Sequence, residues 1–200
     1  SGTAWNMTIN KAGRLNIVKQ GTTTKGTYTY DGRQRLAIRV VSNTSGANGT
    51  THLIHGYTGC PGPSNDNFSA GGALACDRVL AETNGTGAAG TTREYIWLGD
   101  LPVAVIDKSV TPNKTYWVHA DHLNRPYFMT DSTRAVVWKA IYEPFGTVYS
   151  TTGTAAQTLR FPGQWFQIES NLAYNWHRHY DATTGRYISA DPLNHALNGA

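Results

Sequence analysis

Two imidazoles and a carboxylate fall within four residues at His119-Ala120-Asp121-His122, a donor set that zinc or iron accepts. A plainer chemistry competes with it: in a strand that runs into a turn, Asp121 and His122 can hydrogen-bond the turn backbone instead. His177 and His179 alternate with Asn175 on one strand face, a second pair of ring nitrogens that reads equally as a solvated or stacked surface. The strand-to-turn reading is preferred, and no metal and no cofactor is expected. Cys60 and Cys76 bracket the stretch PGPSNDNFSAGGALA, a composition that makes a loop. A disulfide closing that loop would contribute about 3 kcal/mol and mark an oxidising compartment; two unrelated thiols are the other reading. With no Cys-x-x-Cys and no neighbouring His pair, these thiols do not suit zinc. A glycine-rich phosphate loop, a Gly-x-Ser-x-Gly elbow and a Cys/His nucleophile arrangement are all missing, and the sequence does not argue for an enzyme.

The elements that position these groups are strands. Leu36, Ile38 and Val40 alternate onto one face, Leu101, Val103 and Val105 onto another, and Tyr116 and Val118 oppose Trp117 and His119. No segment of ten or more residues carries a helical period. Turn signals separate the runs, among them Asp31-Gly32, Asn48-Gly49, Asn84-Gly85 and Thr184-Gly185. The reading is all-β: a strip of antiparallel hairpins forming a curved or spiralling sheet, a partial shell or a small barrel. Asn43 to Thr51 and Cys60 to Ala75 read as long loops within this strip, the second as an inserted or a recognition loop. Trp97, Trp117, Trp138, Trp165, Tyr174 and Trp176 are expected in strands, mostly in the core, with outward aromatics available to stack on sugars.

At 200 residues the chain is long enough to bury a core without staples. Its 17 Lys+Arg exceed 13 Asp+Glu by only four, and the basic residues are scattered singly, which argues against a nucleic-acid surface. No apolar run reaches the length of a bilayer span. Ser1 opens without a signal-like start, so any export signal is expected to be removed or to lie outside this chain.

Internal echoes give the pattern a unit. Ile9-Asn10-Lys11-Ala12-Gly13-Arg14-Leu15 returns 21 residues on as Tyr30-Asp31-Gly32-Arg33-Gln34-Arg35-Leu36, and again as Tyr180-Asp181-Ala182-Thr183-Thr184-Gly185-Arg186-Tyr187. Physically the unit is a strand ending in an aromatic, an Asp that accepts turn amides, a Gly at positive φ, and a new strand opened by Arg and an apolar residue. Tyr30, Asp31, Asp121, His122, Tyr180, Asp181, Gly185 and Arg186 are its structural residues.

These residues resemble the tyrosine-aspartate repeats of the Rhs/YD family. The ordered series Tyr116 to Pro126, Thr130-Asp131, Val137-Trp138, Tyr142 to Gly146, Leu159 to Gln164, Asn175 to Tyr180 and Gly185 to Pro192 resembles the Rhs repeat-associated core domain. Residues 92–200 are accordingly read as a core segment and 1–91 as YD-like hairpins, continuous as one unit. The resemblance implies a wall segment of a hollow shell that encloses a C-terminal toxin domain in secreted or cell-surface bacterial proteins. Implied partners are other YD segments of the same polypeptide or neighbouring copies, toxin cargo, and carbohydrate. In that bacterial setting the six Asn-x-Ser/Thr sequons are read as incidental. An extracellular assembling or carbohydrate-binding module is the alternative.

The family's core domain can also cut itself with aspartates and a supporting arginine. By position Arg178 and Asp191 match that arginine and the first aspartate, two carboxylates being needed to share acid and base roles. The family's Asp-Pro-Ile-Gly-Leu tail is replaced here by Asp191-Pro192-Leu193-Asn194-His195-Ala196. The second aspartate would fall beyond Ala200, so the expectation is a remnant of the autoprotease without activity of its own.

Overall fold

The computed structural model describes residues 4–56, 78–85 and 90–190. Cys60, Cys76 and Asp191 lie outside them. The strands are β1 (Trp5–Ile9), β2 (Leu15–Gln20), β3 (Thr23–Tyr30), β4 (Leu36–Val41), β5 (Gly49–His55) and β6 (Val79–Thr83). They continue as β7 (Thr91–Leu98), β8 (Leu101–Asp107), β9 (Lys114–Ala120), β10 (Pro126–Thr130), β11 (Val136–Tyr142) and β12 (Val148–Gly153). The last four are short: β13 (Trp165–Gln167), β14 (Leu172–Asn175), β15 (Arg178–Asp181) and β16 (Arg186–Tyr187).

Strands β1 to β12 form one antiparallel sheet in chain order, and β13 to β16 form a second sheet in the same manner. The large sheet ends at β1 and β12 and is open, so the small-barrel alternative does not hold. The aromatic pattern explains how the second sheet is used. Leu159, Trp165, Leu172 and Tyr174 from the C-terminal part share one core with Leu15, Tyr28, Leu36, Tyr95, Met129 and Trp138 of the large sheet. The small sheet therefore covers the apolar face of the large one, giving the two layers that a one-sided sheet needs.

The expected alternation holds in β9, where Tyr116 and Val118 are buried while Trp117 is 45% exposed. It fails in β4 and β8. In β4 the buried residues are Leu36, Arg39 and Val41, and Ile38 and Val40 are only partly buried. Ala37 is the reason: Tyr30 pairs with Leu36 and Thr29 with Ile38, so one extra residue shifts the phase of the strand. In β8 the skipped residue is Val103, which leaves Pro102 and Val105 as the buried positions. Every neighbouring pair of the large sheet except β4–β5 and β8–β9 carries such a bulge. Trp176 also departs from its expected strand: it sits in the turn between β14 and β15 at φ 54° and is 42% exposed.

The aromatic that ends a strand tends to reach back to the start of the strand before it. Tyr30 Oη donates to the Leu15 carbonyl at 2.7 Å, Trp97 Nε1 to Val79 at 3.1 Å, and Tyr142 Oη to Pro126 at 2.9 Å. Each ties a strand end beside a bulge. Tyr142→Phe removes one such bond between neutral groups and is expected to cost about 1 kcal/mol in urea unfolding. A change within error would show that the ring alone closes the hairpin.

Candidate functional site

The repeated turn is the first part of the site, because it sets where each strand enters. In Asp31 to Arg35, the Asp31 N–H donates to the Arg35 carbonyl and the Gln34 N–H donates to the Asp31 carbonyl, both at 2.9 Å. Gln34 adopts φ 64°, so the left-handed position belongs to the fourth residue of the turn and not to Gly32. Asn10 to Arg14, Asp121 to Arg125 and Asp131 to Ala135 close in the same way, with Gly13, Asn124 and Arg134 at positive φ. This is a three-residue hairpin loop with a left-handed closing residue.

The Asp side chain locks the loop. Asp121 Oδ1 accepts the N–H groups of Leu123 at 2.9 Å and Arg125 at 3.0 Å, while Oδ2 accepts Arg125 Nε at 2.8 Å and pairs with its Nη2 at 2.7 Å. Asp31 repeats this with Arg33 and Arg35. Partial burial pushes both carboxyls up, and the arginine and amide hydrogen bonds outweigh it, so both titrate below the usual carboxylate range. Asp121→Ala is expected to cost about 1–2 kcal/mol, since it frees two turn amides and strands the Arg125 fork. Equal stability of the variant in denaturant would remove the carboxylate from the turn's energetics.

The arginine that the repeat places at the start of the new strand stands four residues after Asp31 and Asp121, as Arg35 and Arg125, and its pairing with that Asp was not foreseen in the sequence. Arg125 also lies 4.4 Å from the Tyr142 ring centroid and 5.0 Å from that of Phe161, joining the turn to the C-terminal segment.

Of the other sequence candidates, His119 stacks on Phe128 at 4.2 Å and reaches Thr130 Oγ1 at 3.1 Å. His122 is exposed in its turn and makes no hydrogen bond among the described residues. Asp181 accepts Thr183 N–H at 2.9 Å and Thr183 Oγ1 at 2.6 Å, and pairs across its hairpin with Arg186. Gly185 takes φ 68° beside the Phe145 ring, and Tyr180 Oη donates to the Phe145 carbonyl at 2.9 Å. Arg178 opens β15 with its guanidinium 3.8 Å from the Tyr187 ring centroid. Tyr187 Oη in turn accepts Asn175 Nδ2 at 2.7 Å.

Between the sheets lies a buried polar seam that sequence reasoning missed. Glu169, 1% exposed, accepts Arg39 Nε at 2.8 Å on Oε1 and Arg39 Nη2 at 2.5 Å on Oε2. Its Oε1 also accepts Tyr28 Oη at 2.8 Å. A second node gathers on Glu82, whose Oε1 accepts Trp165 Nε1 at 2.8 Å, Thr158 Oγ1 at 3.2 Å and the Tyr95 hydroxyl. A third joins the backbone N–H of Leu36 to Tyr174 Oη at 2.8 Å, with His179 packed between the rings of Tyr174 and Tyr28. Burial, with Arg14 adding to it, pushes the His179 imidazole down to about 3. Burial foremost, then Glu169, holds the Tyr28 phenol well above its ordinary value. These groups fix one register of small sheet on large sheet, which apolar packing alone leaves loosely defined. Their signals were single charged residues inside apolar strands, Arg39 in LAIRVV and Glu82 in VLAET.

Among the described residues no three His, Cys, Asp or Glu side chains gather as a metal site, and no helix is long and apolar enough to cross a membrane. Comparison with known proteins agrees with the hairpin geometry. YibJ, an uncharacterized protein of Escherichia coli K12, is 37% identical over 106 residues, covering 48% of this chain and 46% of YibJ. The double-stranded DNA deaminase toxin A of Burkholderia cenocepacia is 36% identical over 104 residues, half of this chain and 7% of that toxin. Toxin protein Tse5 of Pseudomonas aeruginosa is 37% identical over 75 residues, 38% of this chain and 6% of Tse5. The chain thus spans about half of YibJ and less than a tenth of either toxin. The Photorhabdus luminescens Tc holotoxin pore superposes with a TM-score of 0.60 at 17% identity, over 94% of this chain and 9% of the other, and shares the fold. Residues 92–197 match the teneurin YD-shell profile, more than half of the chain and the same stretch that carries the Rhs-like motif series. With its repeated Asp-closed hairpins and this match, the chain belongs to the teneurin YD-shell family.

Proposed function

We propose that this chain is a wall segment of a YD-repeat shell that encloses a C-terminal toxin domain and works outside the bacterial cell. The observation that carries the reading is the open twelve-stranded sheet in chain order, with β1 and β12 as edges where further hairpins of the same polypeptide can pair. Its toxin relatives are far longer than the stretch they share with it, in keeping with a segment of a larger container. Residues 1–91 and 92–200 serve this role as one unit, since a single core runs through both. Intact mass and end sequencing of the protein from its native source test the reading. A polypeptide extending well beyond this chain, with a separate domain following it, supports a container; a native mass near 21.8 kDa overturns it.

A second reading, an assembling module that adds edge to edge, is favoured by β1. All five of its residues are exposed, including Trp5, Met7 and Ile9. Concentration-dependent growth in sedimentation velocity, lost when Met7 is replaced by Lys, is its expected signature. The self-cleavage reading of Arg178 and Asp191 has its own test. Asp191→Asn should block processing when the chain is expressed within its longer polypeptide, and unchanged cleavage would discard it.

A further inference from the structure

Five of the arginines withdrawn from solvent are matched to carboxylates. Arg35 pairs with Asp31, Arg39 with Glu169, Arg78 with Asp100, Arg93 with Glu82 and Arg125 with Asp121. Arg160 is not among them. It is largely withdrawn from solvent, its guanidinium lies 4.3 Å from the Phe166 ring centroid, and no carboxylate among the described residues meets it. Its Nη1 donates to the carbonyls of Gln157 and Leu159, both at 2.9 Å, and its Nε and Nη2 have no hydrogen-bond partner among the described residues. A cation largely withdrawn from water without an opposite charge calls for an explanation, and its Nε and Nη2 are not sealed from solvent.

The explanation lies beside it. A cleft of about 260 Å³ opens between the sheets, lined by Arg160 and Gln164 together with Thr147, Phe166, Ala173 and Ala182. Gln164 is only 5% exposed, yet its side-chain amide makes no hydrogen bond among the described residues. Thr147 is already committed, donating from Oγ1 to the Ala182 carbonyl at 3.0 Å. The cleft thus holds one guanidinium with spare donors, the side-chain amides of Gln164 and Asn171 open to the cleft, and walls of Phe and Ala. That is a positive, mostly apolar pocket with few polar groups, the usual makeup of a small-ligand site.

We propose that this cleft binds a carboxylate, taken in by the free edge of Arg160 with the Gln164 amide as second donor. A planar carboxylate matches a guanidinium edge in two parallel hydrogen bonds. One guanidinium also balances one carboxylate charge, whereas a phosphate dianion would leave a buried negative charge uncompensated. The carboxylate can come from a small organic acid or from an Asp or Glu side chain of an extended polypeptide. Both sources present the same group, and the volume accepts either.

The test follows the Arg160 Nε–H resonance of ¹⁵N-labelled full-length protein at constant ionic strength. The probes are acetate, a capped tripeptide with a central Glu, its Gln counterpart, inorganic phosphate and chloride. A saturable displacement by acetate or the Glu peptide, absent with the Gln peptide and with chloride, is the expected result. Ala182→Phe, which fills the cleft while leaving Arg160 and the Ala182 carbonyl in place, should weaken binding at least tenfold. Arg160→Gln should abolish it, read on the Gln164 side-chain amide. Tenfold tighter binding of the peptide than of acetate identifies a chain-borne carboxylate, and the reverse a small acid. A linear response, an equal response to chloride, tenfold tighter binding of phosphate, or unchanged affinity in Ala182→Phe overturns the proposal.

Discussion

Glu169→Ala should destabilise the protein by about 3–5 kcal/mol, because it leaves the Arg39 guanidinium buried without its counter-charge and Tyr28 without its acceptor. Most of that loss is the penalty of an orphaned charge and not the worth of the pair. Arg39→Met combined with Glu169→Leu should therefore recover most of it, since apolar groups of similar volume replace both charges together. Urea unfolding of wild type, single and double variants measures both terms. A double variant as unstable as the single one would show that the pair itself, through its fork geometry, supplies the stability. A single variant within 1 kcal/mol of wild type would show that the seam is solvated and that the small sheet is held elsewhere.

Acid should unfold the protein earlier than its carboxylates require, and His179 is the cause. Its folded-state value near 3 lies below the unfolded 6.5, so the unfolded chain binds a proton that the folded one refuses. Stability is then intact above pH 6.5 and is lost progressively as pH falls from there toward 3, with a slope of about 1.4 kcal/mol per pH unit. Integrated over that window the loss is roughly 4–5 kcal/mol. The depressed carboxyls of Asp31, Asp121 and Asp181 act with the same sign but lower down: their contribution is intact above the unfolded value of 3.8 and fades beneath it. The interval from pH 6.5 to 4 thus isolates the imidazole. His179→Phe, which keeps a ring between Tyr28 and Tyr174, should flatten the urea midpoint across that interval. A wild-type midpoint already flat there, or an unchanged slope in the variant, would place the acid sensitivity on other groups.

What could be read in the sequence divides by distance along the chain. The Asp-closed turns were legible because the whole interaction fits inside five residues, and Asp31 and Asp121 accept the amides of their own loops. The strand content was legible for the same reason. The phase of a strand was not: Leu36, Ile38 and Val40 look like one face until the unpaired Ala37 intervenes, and nothing in LAIRVV announces a bulge. Nor does the alternation of Trp176 with its neighbours reveal a turn at positive φ. The buried seam was invisible because Arg39 and Glu169 stand 130 residues apart, and Glu82 and Trp165 stand 83 apart. Such partners are chosen by the packing of two sheets, and a charge inside an apolar strand signals burial without naming its partner. The family series from Tyr116 to Pro192 reached further than the physics of single segments, since an ordered set of motifs carries long-range information that local pattern lacks.

Chain-order pairing also decides when each part of the molecule can form. In the large sheet every strand meets the one made just before it, so hairpins can close in turn as the polypeptide leaves the ribosome, with little loop entropy to overcome. The cover follows the large sheet in the sequence. Until residues 158–179 emerge, Arg39 lacks Glu169, Glu82 lacks Trp165 and Thr158, and the apolar side of the nascent wall stays wet, a state prone to association with its neighbours. Pulsed hydrogen exchange during refolding should accordingly protect the amides of β2 to β11 before those of β13 to β15; simultaneous protection would mean that the wall cannot hold without its cover. Residues 158–187 thus act as a timer, and a chaperone would be needed most in the interval before they report.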